Sequence, residues 1–347
     1  MQTNDFSDIP IIDLTNAGER DVLARRITQV FHEVGFLLVT GHSVAQSTTD
    51  AAFAHAKRFF ALPREQKQLM DKRRSRHFRG WEPIGTEHTN NQPDIREQID
   101  LWSEHPPLSP TIEPKYLRLL GSNQWPPEDL VPGFKDATTQ WVSQAETLAT
   151  SLLQLMALGL GLAENHFSTL FATRSMSLTK IIHYPPTPNQ KFGVNTHHDA
   201  GCLTILAPGD TPGLEVENGA GDWIPVPIVP GTLVVNLGEV LQKMTGNYFV
   251  ATPHRVATKK ARQSMGYFHG PSIDAQFEPL PLDERFADAV AASPRHAKAG
   301  FMAQVDETES GVAAMASPNH PDVYGEQLWN YFARSYPDNV KAHYPNG

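Results

Sequence analysis

The feature that most limits the fold of this chain is a change of period at Met176. Before it, apolar residues recur mainly at helical spacing; after it, they come in short runs divided by turn residues. The runs "CLTIL", "GLEV", "WIPV", "GTLVVNL" and "RQSMGYF", with "GDTPG" and "NGAGD" among the separators, are shorter than ordinary helices. "MSLTKIIHYPP" opens the series, alternating until two prolines stop it. Many short strands with turn signals indicate an antiparallel sandwich or barrel.

Upstream, "IPIIDL" reads as a strand, and Asn16 followed by Glu19 has the form of an N-cap with its capping box. Val22, Leu23, Ile27, Val30, Phe31 and Val34 then repeat at helical spacing until Gly35, and "FLLVT" is strand-like. Ser43 and Gln46 suggest a second capping box, opening a helix that stops before Pro63, where another short helix can start. A third helical pattern runs from Ala137 to Leu160, with Trp141, Leu148, Leu152 and Met156 on one face. Near the end, the Ala-rich segment 287–312 reads as a loop or short helix before the helical stretch "YGEQLWNYFARSY". The expected class is mixed α and β with a β core. Residues 1–170 form a mainly helical region packed on that core, 171–280 the core itself, and 281–347 a loop and helical tail, all in one structural unit.

Composition narrows the partners. A net charge of −9 without a Lys/Arg stripe lacks the phosphate-neutralising surface that nucleic acid requires. The basic cluster "DKRRSRHFRG", Asp71 to Gly80, is the local exception; it fits a solvated loop or a hold on an acidic substrate group. Cys202 is the sole cysteine, so no internal disulfide can form and a reducing, cytoplasmic setting fits. The first residues show no basic region followed by an apolar run, and "VGFLLVTG" is too short to span a bilayer. The expected partner is a small molecule, with neither nucleic acid nor membrane.

The chemistry is concentrated in "GVNTHHDAGCLTIL". On a strand, side chains two apart share a face and neighbours oppose, so His197 and Asp199 converge while His198 points away. An imidazole and a carboxylate so placed are two of the three members of the 2-His-1-carboxylate triad, which binds non-haem Fe(II) and leaves positions open. Alone, His-x-Asp is weak evidence and fits a surface turn with ordinary polar residues better. A third ligand has to come from elsewhere, and "NYFVATPHRVA" offers His254. Arg262 and Ser264 in "ARQSMGYF" are again two apart, a guanidinium fork and a hydroxyl suited to a carboxylate.

With "HHD", "PHRV" and "RQS" in this order, the chain resembles the Fe(II)- and 2-oxoglutarate-dependent oxygenases of the isopenicillin N synthase-like group. "IPIIDL", "EVGFLLVTGHSV", "FFALPREQK", "RGWEPIG", "NQWPP" and "HYPP" extend the resemblance over nearly the whole chain. It implies a double-stranded β-helix, or jelly roll. It implies His197, Asp199 and His254 as iron ligands, Arg262 and Ser264 on the far carboxylate of 2-oxoglutarate, and Tyr184 near that co-substrate. Ile182 stands where plant members often carry Asn, so one familiar polar contact is absent. His183 and His198 are not ligands in this reading, and Cys202 is a packing residue. The implied activity uses O2 and 2-oxoglutarate to oxidise, by default to hydroxylate, a small molecule, releasing succinate and CO2. Three alternatives share parts of the pattern: an oxidase of the isopenicillin N synthase kind that uses no 2-oxoglutarate, an ethylene-forming fragmentation of 2-oxoglutarate, and a non-catalytic jelly-roll binding module. The family builds its substrate pocket from the N-terminal region and the barrel mouth, which points to Arg79, Trp81 and Glu87 in "RHFRGWEPIGTEH" and to the surroundings of His269.

Overall fold

Fourteen short strands and eight helices make up the described part of the chain, which in this computed structural model comprises residues 5–15, 20–90, 92–186, 192–293, 295–296 and 323–345. The major sheet has eight strands. They are β1 (Ile11–Asp13), β2 (Phe36–Thr40), β3 (Gly80–Glu82), β6 (Glu97–Trp102), β7 (Leu178–Tyr184), β9 (Leu203–Ala207), β12 (Leu233–Leu237) and β14 (Arg262–His269), in the order β1-β2-β12-β9-β14-β7-β6-β3. The minor sheet has four: β8 (Val194–His197), β10 (Leu214–Glu217), β11 (Trp223–Pro225) and β13 (His254–Val256), in the order β11-β10-β13-β8. A two-residue pair, β4 (His88–Thr89) and β5 (Gln92–Pro93), stands apart. Except for β1 beside β2, the paired strands run antiparallel, the jelly-roll arrangement that the sequence implied.

The helices cover this core. Helix α1 (Arg20–Glu33) buries Ala24, Ile27, Val30 and Phe31 and ends where Gly35, at φ +75°, donates back to the Val30 carbonyl. A Cβ there would lie 2.3 Å from the Val250 carbonyl oxygen, so both the turn and the packing require glycine. Helix α2 (Gln46–Phe60) is capped differently from expectation. Its N-cap is Ala45, whose N–H donates to Gln144 Oε1 on the neighbouring helix, and no Ser43 cap forms. Long-range packing replaced a local hydrogen bond. After α3 (Arg64–Lys67), α4 (Phe134–Gly159) begins three residues before the apolar pattern does and buries Trp141, Leu148, Leu152 and Met156. Then come α5 (Glu239–Met244), α6 (Glu284–Ala292), α7 (Tyr324–Ser335) and α8 (Pro337–His343). No described helix is long and apolar enough to cross a membrane. The Asn16–Glu19 capping box and residues 297–312 of the Ala-rich segment lie outside the described residues.

Two expectations need correction. The segment before residue 171 is not only a helical cover: β1, β2, β3 and β6 make half of the major sheet, so the core is built from both halves of the chain. Nor is the basic cluster wholly a solvated loop: Arg73 and Arg74 are exposed, but two of its cations are buried. Lys72 is 2% exposed and Arg79 is fully buried, the former held by Glu82, Asp100 and Tyr336, the latter by the carbonyls of Gly121 and Leu119.

The register of β6, β7 and β14 matters most for function. Trp102, Leu178 and Phe268 form one rung across the three strands, Asp100, Lys180 and Gly266 the next, Gln98, Ile182 and Ser264 the third, and Tyr184 and Arg262 the last. Because side chains two apart share a face, these rungs stack along one face of the sheet, toward the interior.

Candidate metal centre and adjoining cavities

His197 ends β8 and lies directly opposite His254, which begins β13. Each ring is held by its Nδ1–H, donated to a backbone carbonyl two residues back: Asn195 at 2.8 Å and Thr252 at 3.1 Å. That leaves both Nε2 lone pairs free to converge, and they lie 3.8 and 3.6 Å from Asp199 Oδ1. One ligand atom from each of the three residues falls within 4.8 Å of the others.

Asp199 is positioned by a route that strand alternation did not foresee. The strand β8 stops at His197, and Asp199 is fixed instead by a bridge to Gly238, with the Glu239 N–H donating to its carbonyl at 2.8 Å. Its Oδ2 accepts from Thr204 Oγ1 and Asn236 Nδ2, both at 2.6 Å, from residues facing each other on β9 and β12. The clamp turns Oδ1 toward the histidines. Neither Thr204 nor Asn236 was singled out from sequence, although each is a lone polar residue inside an apolar strand run, "CLTIL" and "LVVNL". His198 does point away, with Nδ1 3.1 Å from Glu239 Oε1.

Burial, reinforced by the neighbouring His254, pushes the His197 imidazole down to about 3, and burial lowers His254 as well. Burial opposes ionisation of Asp199, but the two histidines and the two hydrogen bonds outweigh it and hold the carboxyl below its ordinary range. Two neutral imidazoles and one carboxylate are the protonation states that a divalent cation needs, and the second partner on each ligand fixes its orientation. Thus the donor set fits Fe(II).

Two cavities meet at His197 and Asp199. One runs along the sheet to Tyr184, Arg262 and Ser264. Arg262 is 2% exposed, sits 5.0 Å from the Tyr184 ring centre, and donates Nε–H to the Thr211 carbonyl at 3.1 Å, while its Nη1 has no hydrogen-bond partner among the described residues. Burial lowers its pKa against the opposing effect of Tyr184. A buried guanidinium with an unmet donor fits an anionic ligand, and Ser264, 1% exposed, supplies a hydroxyl to the same cavity.

The other cavity reaches Glu87, Asp100, Lys180 and Trp102, with Phe332 and Tyr331 of α7 on its wall. Of the three substrate residues expected from sequence, the structure brings only Glu87 to this cavity. Arg79 is spent on backbone carbonyls, and Trp81, 3% exposed, donates its indole N–H to Glu97 at 2.9 Å. His269 is buried against Phe171, with ring centres 4.1 Å apart. Cys202 is fully buried and its thiol is pushed up to about 12 by desolvation, which suits packing and not nucleophilic chemistry.

Comparison with known proteins agrees with this geometry. Residues 175–271 match the model of the 2OG-Fe(II) oxygenase superfamily, and residues 9–128 that of the non-haem dioxygenase N-terminal region named for morphine synthesis. A 2-oxoglutarate-dependent dioxygenase of Dothideomycetidae sp. is 30% identical over 99% of this chain and 97% of its own length. A homoarginine-6-hydroxylase of Glycine max is 31% identical over 80% of this chain and 89% of its own. Among solved structures, a full-length Neurospora crassa protein in complex with alpha-KG and 5-formyluracil superposes with a TM-score of 0.72 at 20% identity, covering 95% of this chain and 98% of that one.

Proposed function

We propose that this chain, which belongs to the 2OG-Fe(II) oxygenase superfamily, holds Fe(II) with His197, Asp199 and His254 and anchors the far carboxylate of 2-oxoglutarate with Arg262, Ser264 and Tyr184. The protein is a 2-oxoglutarate-dependent dioxygenase acting on a small molecule. When bound, the metal and co-substrate supply O2 activation, with 2-oxoglutarate leaving as succinate and CO2, and the oxidising equivalents for the substrate. The chain's own residues do the positioning. The Asn195 and Thr252 carbonyls aim the imidazoles, and the Thr204 and Asn236 clamp occupies Asp199 Oδ2, leaving Oδ1 toward the histidines. Arg262 and Tyr184, paired across β14 and β7, set the depth at which a dicarboxylate can lie. The aromatic wall keeps water from the second cavity while a substrate's C–H bond faces the ligands. Hydroxylation is the outcome we assign, supported by relatives named as hydroxylases.

The observation that carries the reading is the junction itself: three ligand atoms converge on the mouth of a cavity whose far end holds an incompletely partnered guanidinium. Anaerobic titration of 2-oxoglutarate into Fe(II)-loaded protein, followed by the metal-to-ligand absorption band, tests it. Arg262→Ala is expected to weaken 2-oxoglutarate at least about a hundredfold, as when one side of a buried pair is removed. Arg262→Lys recovers only part, because an ammonium lacks the planar fork. Iron content stays near wild type in both. A wild-type protein that never shows the band, yet consumes O2 with a carboxylate-bearing substrate, overturns the assignment of Arg262 and Ser264.

A further inference from the structure

The wall of the second cavity is a buried network of charges. Lys180 Nζ lies 3.1 Å from Glu87 and 3.2 Å from Asp100, and Arg96 Nη2 lies 3.1 Å from Glu87 and 2.9 Å from Asp94. Behind them Lys72 bonds Glu82 at 2.6 Å and Asp100 at 2.7 Å. Lys72, Lys180 and Arg96 thus face Glu82, Glu87, Asp94 and Asp100, three cations against four carboxylates. Asp94 accepts from Arg96, Thr89 and Asn195, the partners a carboxylate takes. Each of the three cations already faces two carboxylates. Among the described residues a substrate carboxylate entering here meets no unopposed cation, and burying it uncompensated is costly.

Among the described residues the network nevertheless leaves polar atoms unmet, and two belong to neighbouring same-face residues of β6. Asp100 is 4% exposed, and its Oδ2 takes both lysines. Its Oδ1 lies 3.2 Å from Lys180 but outside hydrogen-bond geometry, and is without a hydrogen-bond partner. Trp102 is 7% exposed, and its indole Nε1 likewise has no partner. Both residues line the cavity that ends at His197 and Asp199. Being two apart on a strand, their Cα atoms lie about 7 Å apart with side chains on one face. Arg96 keeps an unpartnered Nε, but with its charge opposed by Glu87 and Asp94 it adds a donor and not an unopposed cation. Buried polar atoms are nearly always satisfied, so an unmet acceptor and an unmet donor two residues apart on one strand face fit a ligand edge that offers both complements.

We propose that Asp100 Oδ1 and Trp102 Nε1 are the specificity-determining pair of this enzyme, reading an uncharged amide-type edge: an N–H that donates to Asp100 beside a carbonyl that accepts from Trp102. A simple ammonium offers no acceptor to Trp102, and a carboxylate offers no donor to Asp100; an amide, lactam or ureide offers both. The body of such a substrate lies among Phe268, Phe332 and Tyr331, with its oxidisable carbon toward the metal ligands. The proposal rests on the reading of this site as the Fe(II)/2-oxoglutarate centre, and goes beyond it in naming the class of substrate.

The test uses the full chain loaded anaerobically with Fe(II) and 2-oxoglutarate. Small cyclic amides, 2-piperidone and hydantoin, are titrated in parallel with benzoate and benzylamine while the absorption band is followed. The cyclic amides are expected to perturb the band at concentrations at which the other two do not. Trp102→Phe keeps an aromatic ring but removes the N–H together with the pyrrole half of the indole; it is expected to weaken the amides at least about tenfold, the value of one hydrogen bond, with 2-oxoglutarate affinity within twofold and thermal stability lowered by the buried volume lost. Asp100→Asn is expected to weaken them at least as much; should that variant fold poorly, Trp102→Phe decides. The proposal is overturned if neither amide binds, if benzoate or benzylamine matches them, or if Trp102→Phe leaves amide affinity unchanged. If the band never forms in wild type, it is the metal and co-substrate reading that has failed, and the two failures are distinguishable.

Discussion

Two buried polar clusters lie within one cavity system of this protein, and they are satisfied in opposite ways. In the wall, each of Glu82, Glu87, Asp94 and Asp100 has a Lys or Arg within 3.2 Å. In the triad, Asp199 Oδ1 faces two imidazole nitrogens at 3.6 and 3.8 Å that burial keeps neutral, and its other oxygen takes only Thr204 and Asn236. A cluster that supplies its own counter-charges needs no ion from outside the chain, even where it leaves a hydrogen bond open to a ligand. A cluster of converging lone pairs, each ligand fixed from behind, is organised for a cation from outside the chain. The contrast separates a cluster balanced in charge from one that awaits a cation, which burial alone does not do.

The sharpest way to break that contrast is to remove one ligand. His197→Ala is expected to abolish Fe(II) binding and turnover, whereas His198→Ala, whose ring faces Glu239, keeps iron within a few-fold of wild type. Metal analysis after anaerobic loading and desalting checks both; iron retained by His197→Ala would mean that the triad is wrongly drawn. In the wall, the corresponding loss is one of stability. Burial opposes the charge of Lys72, but Asp100 and Glu82 outweigh it and hold the ammonium above its usual range. Lys72→Met leaves Glu82 with only Gln98 and Asp100 with only Lys180 among the described residues, and is expected to destabilise the fold by about 3 kcal/mol, read from denaturant midpoints, without altering 2-oxoglutarate affinity in the folded fraction.

A smaller effect comes from the clamp behind the metal site. Asn236→Ala or Thr204→Val frees Asp199 Oδ2 and is expected to lower iron affinity about 10–100-fold, the usual cost of losing such a supporting partner. Competition with a chelator measures it, and an unchanged affinity would show the clamp to be packing alone. Smallest is Cys202: a thiol pushed up to about 12 in a fully buried position is expected to resist iodoacetamide at pH 8 in the native protein and to react on unfolding. Prompt native-state alkylation would place Cys202 at an accessible site.

The amino-acid sequence alone determined the many-stranded character of the core, the candidate ligand set and the guanidinium-hydroxyl pair, because these depend on local period and on motifs a few residues long. Tertiary structure decided what local pattern does not encode. Strand β6, "EQIDLW", is buried on both faces; it alternates only over Gln98–Leu101, with polar Gln98 and Asp100 as buried as Ile99 and Leu101, so the pattern is too short and too polar to mark a core strand. Its charges are tolerable only because Lys72, Lys180 and Lys67 arrive from other segments, and Lys72 in turn meets Tyr336, 264 residues away, at 3.1 Å. For the same reason the basic cluster read as solvated, and Arg79 and Trp81 as substrate residues: composition reports that a charge exists, while its partner, and with it whether the charge is exposed, is fixed only when distant segments pack. The Asp199 anchor makes the point in miniature. Its type and position were legible in "HHD", but the bridge to Gly238 and the grip of Thr204 and Asn236, which aim its oxygen, exist only once β9 and β12 lie side by side.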